Sequence, residues 1–291
     1  MTRPALRFAP SPNGRLHLGH AYSALLNERL ARALGGRLLL RLEDIDVIRC
    51  QPELAAAAEA DLAWLGLAFD PPVRRQSRHF GEYRAALEGL RGRGLVYPCF
   101  CSRRDIAAAA ATREAAEGRP WPRDPDGAPL YPGTCRGLDP AVAAARIASG
   151  EPHAWRLDLV AAMRAAPGPH GYVRLTPDGG RESVAAAPPR WGDVVLARKD
   201  IPTSYHLAVV HDDALQGITH VVRGRDLEAA TDLHVLLQRL LRLPTPLYRH
   251  HDLVADEEGR KLAKSLGSRS LADLRASGVT AGEVRARLGF P

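Results

Sequence analysis

An α/β fold built around a parallel sheet is what this sequence predicts, and three observations carry it. Short apolar stretches rich in strand-forming residues alternate with longer stretches of helical periodicity. The first 45 or so residues run strand, turn, helix, strand, which is a βαβ unit and implies parallel pairing. At 291 residues, with 45% hydrophobic and 25% charged, the chain is globular and long enough for one large domain or two ordinary ones. That balance excludes a disordered chain.

The elements follow in order. Residues 5–9 (ALRFA) read as a short strand stopped by Pro10 and Pro12, with Asn13-Gly14 as a turn. From Leu16 to Leu34 apolar residues recur at helical spacing, and Gly35-Gly36 ends the run. GRLLLRLEDID reads as a buried strand ending in acids, and residues 52–66 and 80–93 as two further helices. From 97 to about 190 the texture changes: three of the four cysteines lie here, with a large share of the prolines. An alanine-rich helix starting near Ile106, an irregular loop (GRPWPRDPDGAP) and strand-like patches at 154–159 and 172–175 read as an insertion. Regular texture resumes at GDVVLARKD and SYHLAVVHDD, then a strand (ITHVVRG), a helix (LEAATDLHVLLQRLL), and LYRHHDLV leading into the charged loop DEEGRKLAKS. Short helical patterns at 270–276 and 280–288 close the chain. The expected division is a core in two halves, 1–96 and 190–255, an insertion at 97–189, and a loop with a short helical segment at 256–291.

Composition narrows the function. No stretch approaches the ~20 consecutive apolar residues of a membrane span. Prolines occupy the N-terminal segment where a secretion signal would carry its apolar run, so a cytoplasmic protein is expected. The charge is +7, which permits a polyanionic partner such as nucleic acid. Only three of the 40 basic residues are lysines, Lys199, Lys261 and Lys264, so two lysines within four positions of one loop stand out.

Three constellations could carry chemistry. His17-Leu18-Gly19-His20 follows a strand and a turn and opens a helix, whose free N–H groups and positive dipole end suit phosphate. His17 and His20 share a helix face and could donate to a triphosphate, while Gly19 lets a nucleotide approach the backbone. Lys261 and Lys264 could neutralise charge as pyrophosphate leaves, against the bland reading of a solvated basic loop. Cys99, Cys101, Tyr131 and Cys135 form a CxC…YxxxC pattern that could hold one structural zinc, or be three reduced thiols beside an ordinary tyrosine. Cys50 lies outside that pattern. Arg7 and Arg223 each end a predicted strand, where an open parallel sheet faces its ligand, and guanidinium forks bind carboxylates in pairs of hydrogen bonds. Glu43 ends a third strand and could hold an ammonium; Tyr205 could donate its hydroxyl to a carboxylate.

The HLGH and KLAKS strings, one near each end of a split α/β core, resemble the HIGH and KMSKS signatures of class I aminoacyl-tRNA synthetases. RFAPSPNGRLHLGH, SYHLAVVHDD, ITHVVRGRDL and GRKLAKS resemble the glutamyl branch in order and spacing. With only 26 residues after Ser265 and the CxC…YxxxC pattern, the chain is most similar to the glutamyl-Q tRNA(Asp) synthetase family, which lacks the anticodon-binding domain. The resemblance implies a Rossmann-type catalytic core. It implies ATP-dependent activation of L-glutamate, without tRNA, and transfer to queuosine in the anticodon loop of tRNA(Asp). It places His17, His20, Lys261 and Lys264 in catalysis, with His17, Gly19, His20 and Lys264 at ATP. Glutamate contacts fall on Arg7, Ala9, Ser11, Glu43, Tyr205 and Arg223, and zinc on Cys99, Cys101, Tyr131 and Cys135. ATP would bring Mg²⁺ on its phosphate oxygens. A monomer is expected. One departure is Ala263, where the lysine signature ordinarily carries serine. The competing readings are a compact glutamyl-tRNA synthetase charging the 3′ end, a small-molecule nucleotidyltransferase, and a non-catalytic RNA-binding paralogue.

Overall fold

The structure is a computed structural model, and it describes residues 3–254 and 269–291. Lys261, Ala263, Lys264 and Ser265 lie outside the described residues.

The chain opens with β1 (Ala5–Phe8), α1 (Leu18–Ala33) and β2 (Arg37–Leu42), the βαβ unit expected from the sequence. β1 and β2 pair in parallel, Ala5 opposite Arg37 through Phe8 opposite Leu40. Every β1 residue is buried, because α1 covers one face and further helices the other. Then come α2 (Pro52–Trp64), β3 (Asp70–Arg75), α3 (Phe80–Arg91) and β4 (Val96–Cys99). The middle of the chain holds α4 (Arg103–Glu117), α5 (Pro140–Ala148), β5 (Ala154–Leu157), α6 (Leu159–Ala165), β6 (Gly171–Leu175), β7 (Arg181–Ala185) and β8 (Val195–Ala197). α7 (Tyr205–Leu215), β9 (His220–Gly224), α8 (Ala230–Leu241), β10 (Leu247–His251), α9 (Leu271–Ala276) and α10 (Ala281–Arg287) complete it.

Seven strands form the main sheet in the order β3-β2-β1-β9-β10-β6-β7. All neighbours are parallel except β6 and β7, which form an antiparallel pair at one edge. Connections run outward from β1 on one side and from β9 on the other. The order therefore reverses between β1 and β9, and a crevice opens beyond their carboxyl ends. One apolar cluster joins α1, α2, β1 and β2 to α9 and α10 through Leu271, Leu274, Val284 and Phe290. A second joins α3, α6, α7 and α8.

The expected insertion is not a separate lobe along its whole length. β6, at 171–175, hydrogen-bonds to β10, with Arg174 opposite Tyr248, so it belongs to the main sheet. Tyr172 packs edge-on against Tyr248 at 5.3 Å where the hairpin meets the sheet edge. Conversely β8, at 195–197, pairs with β5 in a second sheet of three strands, β4-β5-β8. A strand's own pattern shows which face is apolar, not which strand it joins. Among the described residues no helix is long and apolar enough to cross a membrane.

Candidate active site

Helix α1 begins where the sequence places its signature. His17 is the N-cap, extended at φ −131° and ψ 178°, and its Nδ1 accepts from the Gly19 N–H at 3.1 Å. The His17 N–H donates to His20 Nδ1 at 3.2 Å, closing a capping box made of two imidazoles. Their ring centroids are 3.9 Å apart. A Cβ on Gly19 would stand 3.0 Å from the His17 ring, which would have to give by a few tenths of an ångström to admit it. The segment after the lysine signature returns to the same place: Ser270 forms a bridge with His17, and the Leu271 N–H donates to Leu16 O at 2.8 Å.

Arg7, Ala9, Ser11, His17, Gly19, His20, Glu43, Tyr205 and Arg223 all line one crevice of about 680 Å³ at the β1/β9 switch point. The nine come from five elements or their ends, and parallel pairing brings them together. Val254, the last described residue before the lysine signature, lines it too.

The two arginines differ in their company. Arg7 is 4% exposed and its Nε donates to Asp213 Oδ1 at 3.0 Å. Asp213 also pairs with fully buried Arg41 at 2.8 Å, and Arg41 reaches Glu43 at 3.2 Å. Burial alone would push the Asp213 carboxyl up; Arg7 and Arg41 outweigh it and hold the group ionised. Glu43 is pushed up by burial, against Arg41 and Arg7. Arg223, 5% exposed, has no carboxylate within ion-pair distance among the described residues. Its guanidinium donates to Tyr205 Oη at 3.2 Å, Thr231 Oγ1 at 2.8 Å, His234 Nδ1 at 3.3 Å and His250 Nε2 at 3.5 Å. His206 stands behind, its Nδ1 3.2 Å from His234 Nε2. Burial and then Arg223 lower all three histidines, His206 to about 4 and His250 to about 3, with His234 also well below its ordinary value.

Sequence reasoning missed Arg41, Asp213, Thr231 and these histidines. A signal existed for one: Asp212-Asp213 inside the apolar helical stretch of α7 places acids where only paired acids survive burial. The histidines gave none, because an isolated histidine near an apolar face is ordinary.

A second crevice of about 670 Å³ adjoins the first and shares Ser11, Glu43 and Tyr205 with it. Its walls include Arg49, Arg103, Arg156, Arg198 and Lys199, against the acids Asp46 and Asp200. It is bounded on the far side by the cysteine cluster, since Cys101 lines it.

In that cluster the Cys99, Cys101 and Cys135 sulfurs lie within 4.8 Å of one another. The Cys101 and Cys135 sulfurs are 3.5 Å apart, and Cys101 Sγ lies 3.5 Å from Tyr131 Oη. A tetrahedral zinc with bonds of ~2.3 Å sets its sulfurs about 3.8 Å apart, so the donor set could hold such a metal. Burial pushes the Cys101 thiol up to about 11, whereas at Cys135 hydrogen bonds led by Tyr131 outweigh burial and lower it. The cluster is tied to the core through buried Asp193, which accepts from Tyr97 Oη and, at 2.7 Å, from Arg136 Nε.

Comparison with known proteins agrees with this architecture. The family model for the catalytic domain of class I tRNA synthetases (E and Q) matches residues 5–280. A glutamyl-Q tRNA(Asp) synthetase of Rhodobacter capsulatus is 48% identical over 98% of this chain and 99% of its own length. The protein of the same name from Symbiobacterium thermophilum is 41% identical over 98% of this chain and 85% of its own. Among solved structures, a glutamate tRNA ligase from Elizabethkingia meningosepticum, in complex with its amino acid, superposes with a TM-score of 0.72 at 25% identity. That match covers 92% of this chain and 54% of the ligase.

Proposed function

This chain belongs to the glutamyl-Q tRNA(Asp) synthetases, a class I tRNA synthetase-like family of glutamate-activating ligases, and from that premise we propose that it transfers glutamate to queuosine in the anticodon loop of tRNA(Asp). The reaction begins with ATP and L-glutamate. The α-carboxylate is already a nucleophile, so activation needs no general base. Its oxygen attacks the α-phosphorus, an acyl–phosphate bond forms, and pyrophosphate leaves with the electron pair of the broken bond. Catalysis is then positioning and charge stabilisation. In this reading His17 and His20 donate to the phosphates at the α1 N-terminus, and Gly19 gives the nucleotide access to the backbone. Lys261 and Lys264 meet the charge that develops on pyrophosphate. ATP arrives with Mg²⁺, which neutralises phosphate charge.

The amino acid lies across the mouth of β1 and β9. Glu43 takes the ammonium, Ser11 and Ala9 the backbone side of the pocket, and Tyr205 with Arg223 a carboxylate. Arg7 contributes charge tempered by Asp213. In the second step a hydroxyl of queuosine attacks the activated carbonyl, AMP leaves, and an ester forms. Activation proceeds without tRNA. Cys99, Cys101, Cys135 and Tyr131 would hold a zinc whose role is structural, since four protein ligands would leave no open position.

The observation that carries the acceptor assignment is the pair of adjoining crevices. A nucleoside must reach the activated carbonyl from a space continuous with the glutamate pocket. The crevice sharing Ser11, Glu43 and Tyr205 would supply such a space, and its arginines suit the flanking phosphates. The test uses labelled glutamate with tRNA(Asp), with and without queuosine, and with the 3′ end blocked by a phosphate. Label that needs queuosine and survives the block supports the reading. Label that needs a free 3′ end and ignores queuosine would falsify it in favour of a synthetase charging the 3′ end.

A further inference from the structure

Arg223 is a buried cation held only by neutral partners among the described residues. An isolated buried charge is costly, and proteins ordinarily answer a buried arginine with an acid, as this one does at Arg7. At Arg223 the acceptors are instead a threonine hydroxyl, a tyrosine hydroxyl and two imidazole nitrogens. We propose that His234 is a positioning and specificity-determining residue: it anchors Arg223 through a neutral acceptor, so that the guanidinium charge is kept for the incoming carboxylate. The inference rests on the reading of Arg223 as a carboxylate partner of glutamate.

The donor inventory fixes the arrangement. A guanidinium only donates, so His234 Nδ1, 3.3 Å away, must be the bare nitrogen. The proton of His234 is then on Nε2, which donates to His206 Nδ1 at 3.2 Å. His206 thus fixes the His234 tautomer from behind. On the other side Thr231 Oγ1 accepts from Arg223 at 2.8 Å and so turns its own proton toward His250 Nε2 at 3.2 Å. A protonated His234 would aim an N–H at the guanidinium and break the set. An acid in its place would hold Arg223 just as firmly and consume its charge. Only a neutral acceptor both fixes the group and leaves the pocket short of one negative charge. The shortfall matches a carboxylate and is not relieved by an amide.

The charge balance agrees. Arg7 and Arg41 share Asp213, with Glu43 beside Arg41, whereas Arg223 has no acid within ion-pair distance among the described residues. L-Glutamate, with two carboxylates and one ammonium, carries the missing unit of charge; glutamine does not.

The experiment is pyrophosphate exchange with glutamate and with glutamine, on the full-length wild type and four variants checked for folding by thermal melting. His234→Asp should raise the glutamate KM by about 10²-fold, with kcat falling much less, because a carboxylate now occupies Arg223. Exchange with glutamine should change less, so the preference for glutamate shrinks by at least about tenfold. His234→Asn, whose Oδ1 stands near the place of Nδ1, should keep the glutamate KM within about threefold of wild type. If His234→Asp does not fold, Thr231→Asp brings the same charge to the other side of the guanidinium with the same expectation. A folded acid variant with an unchanged glutamate KM, or an equal loss for both amino acids, overturns the proposal. So does an asparagine variant as impaired as the aspartate one. Arg223→Gln separates the two levels. If it leaves the glutamate KM unchanged, the pocket assignment itself fails; if it impairs glutamate while the acid variants are harmless, only the role of His234 does.

Discussion

The crevice and the cysteine-rich insertion both hold polar side chains in fixed places, and they do it by different means. Around the crevice, burial does the work. Ten of the twelve residues of α8 are buried, and Arg7, Arg41 and Asp213 sit inside a layer of parallel strands and helices. Asp213 is held between two guanidiniums there, and losing either contact would expose a desolvated charge. In the insertion, only Ala110 of the fifteen residues of α4 is buried. Its apolar cluster is small and contains the cysteines themselves. A segment with so little core has less burial to hold it, and a metal on Cys99, Cys101 and Cys135 would crosslink it. The difference teaches that perturbing the crevice should strike activation, while perturbing the insertion should strike local order first.

The largest expected effect tests the crevice directly. Glutamine should be activated less efficiently than glutamate by about 10⁴, because its amide brings N–H donors to groups that only donate. Competing exchange assays measure the ratio, and equal rates would remove the charge argument for the pocket.

Next in size is Lys264→Ala. Losing one charge donor aimed at the transition state typically costs about 10² to 10³, so glutamate-dependent exchange should fall by that much, mainly in kcat. A rate within threefold of wild type would exclude the role given to this lysine.

A third effect is on stability. Arg74 Nε, Gln76 Nε2 and Tyr83 Oη all donate to buried Asp212. Burial opposes ionisation there, but the partners, His211 and Arg41 included, hold the carboxyl down at about 2. Because the folded value lies below the ordinary carboxylate value, this contribution is complete above about pH 4 and is lost as pH falls toward 2; it amounts to about 2 kcal/mol. Denaturant titrations between pH 5 and 2.5 should show the loss, and Asp212→Asn should lack that part of the slope.

The smallest effect on activation should come from the insertion. Cys101→Ser or a chelator should lower zinc content and expose 103–131 to protease, yet leave tRNA-independent exchange within about threefold, since none of Cys99, Cys101, Tyr131 and Cys135 lines the crevice at the β1/β9 switch point. Cys50→Ser should leave the zinc content unchanged. A chelator that abolishes exchange before it exposes the insertion would erase the distinction between the regions.

Much of this was legible in the residues. The βαβ start was written in RFAPSPNG and the glycines after α1, because turns and helix ends are local. HLGH announced a helix N-terminus for the same reason. The strand identity of ITHVVRG followed from its apolar run, which also placed Arg223 at a strand end facing the crevice. The β6–β7 hairpin was harder. Its membership in the main sheet rests on backbone pairing between β6 and β10, segments about 75 residues apart in the chain. β3 (Asp70–Arg75) and β4 (Val96–Cys99) were not anticipated, since DPPVRR and VYPC lack a strand's alternation.

Sequence by itself determined the class of fold and the residue types of the site, because periodicity, turn chemistry and short motifs are properties of neighbours along the chain. Tertiary structure alone decided which partners those residues meet. Arg7 and Arg223 look alike in the sequence, each an arginine near a strand's end. Folding brings Asp213 from α7 to the first and His234, Thr231 and His250 to the second. Which group neutralises a buried charge depends on what lies within a few ångströms after desolvation. No local pattern encodes that distance.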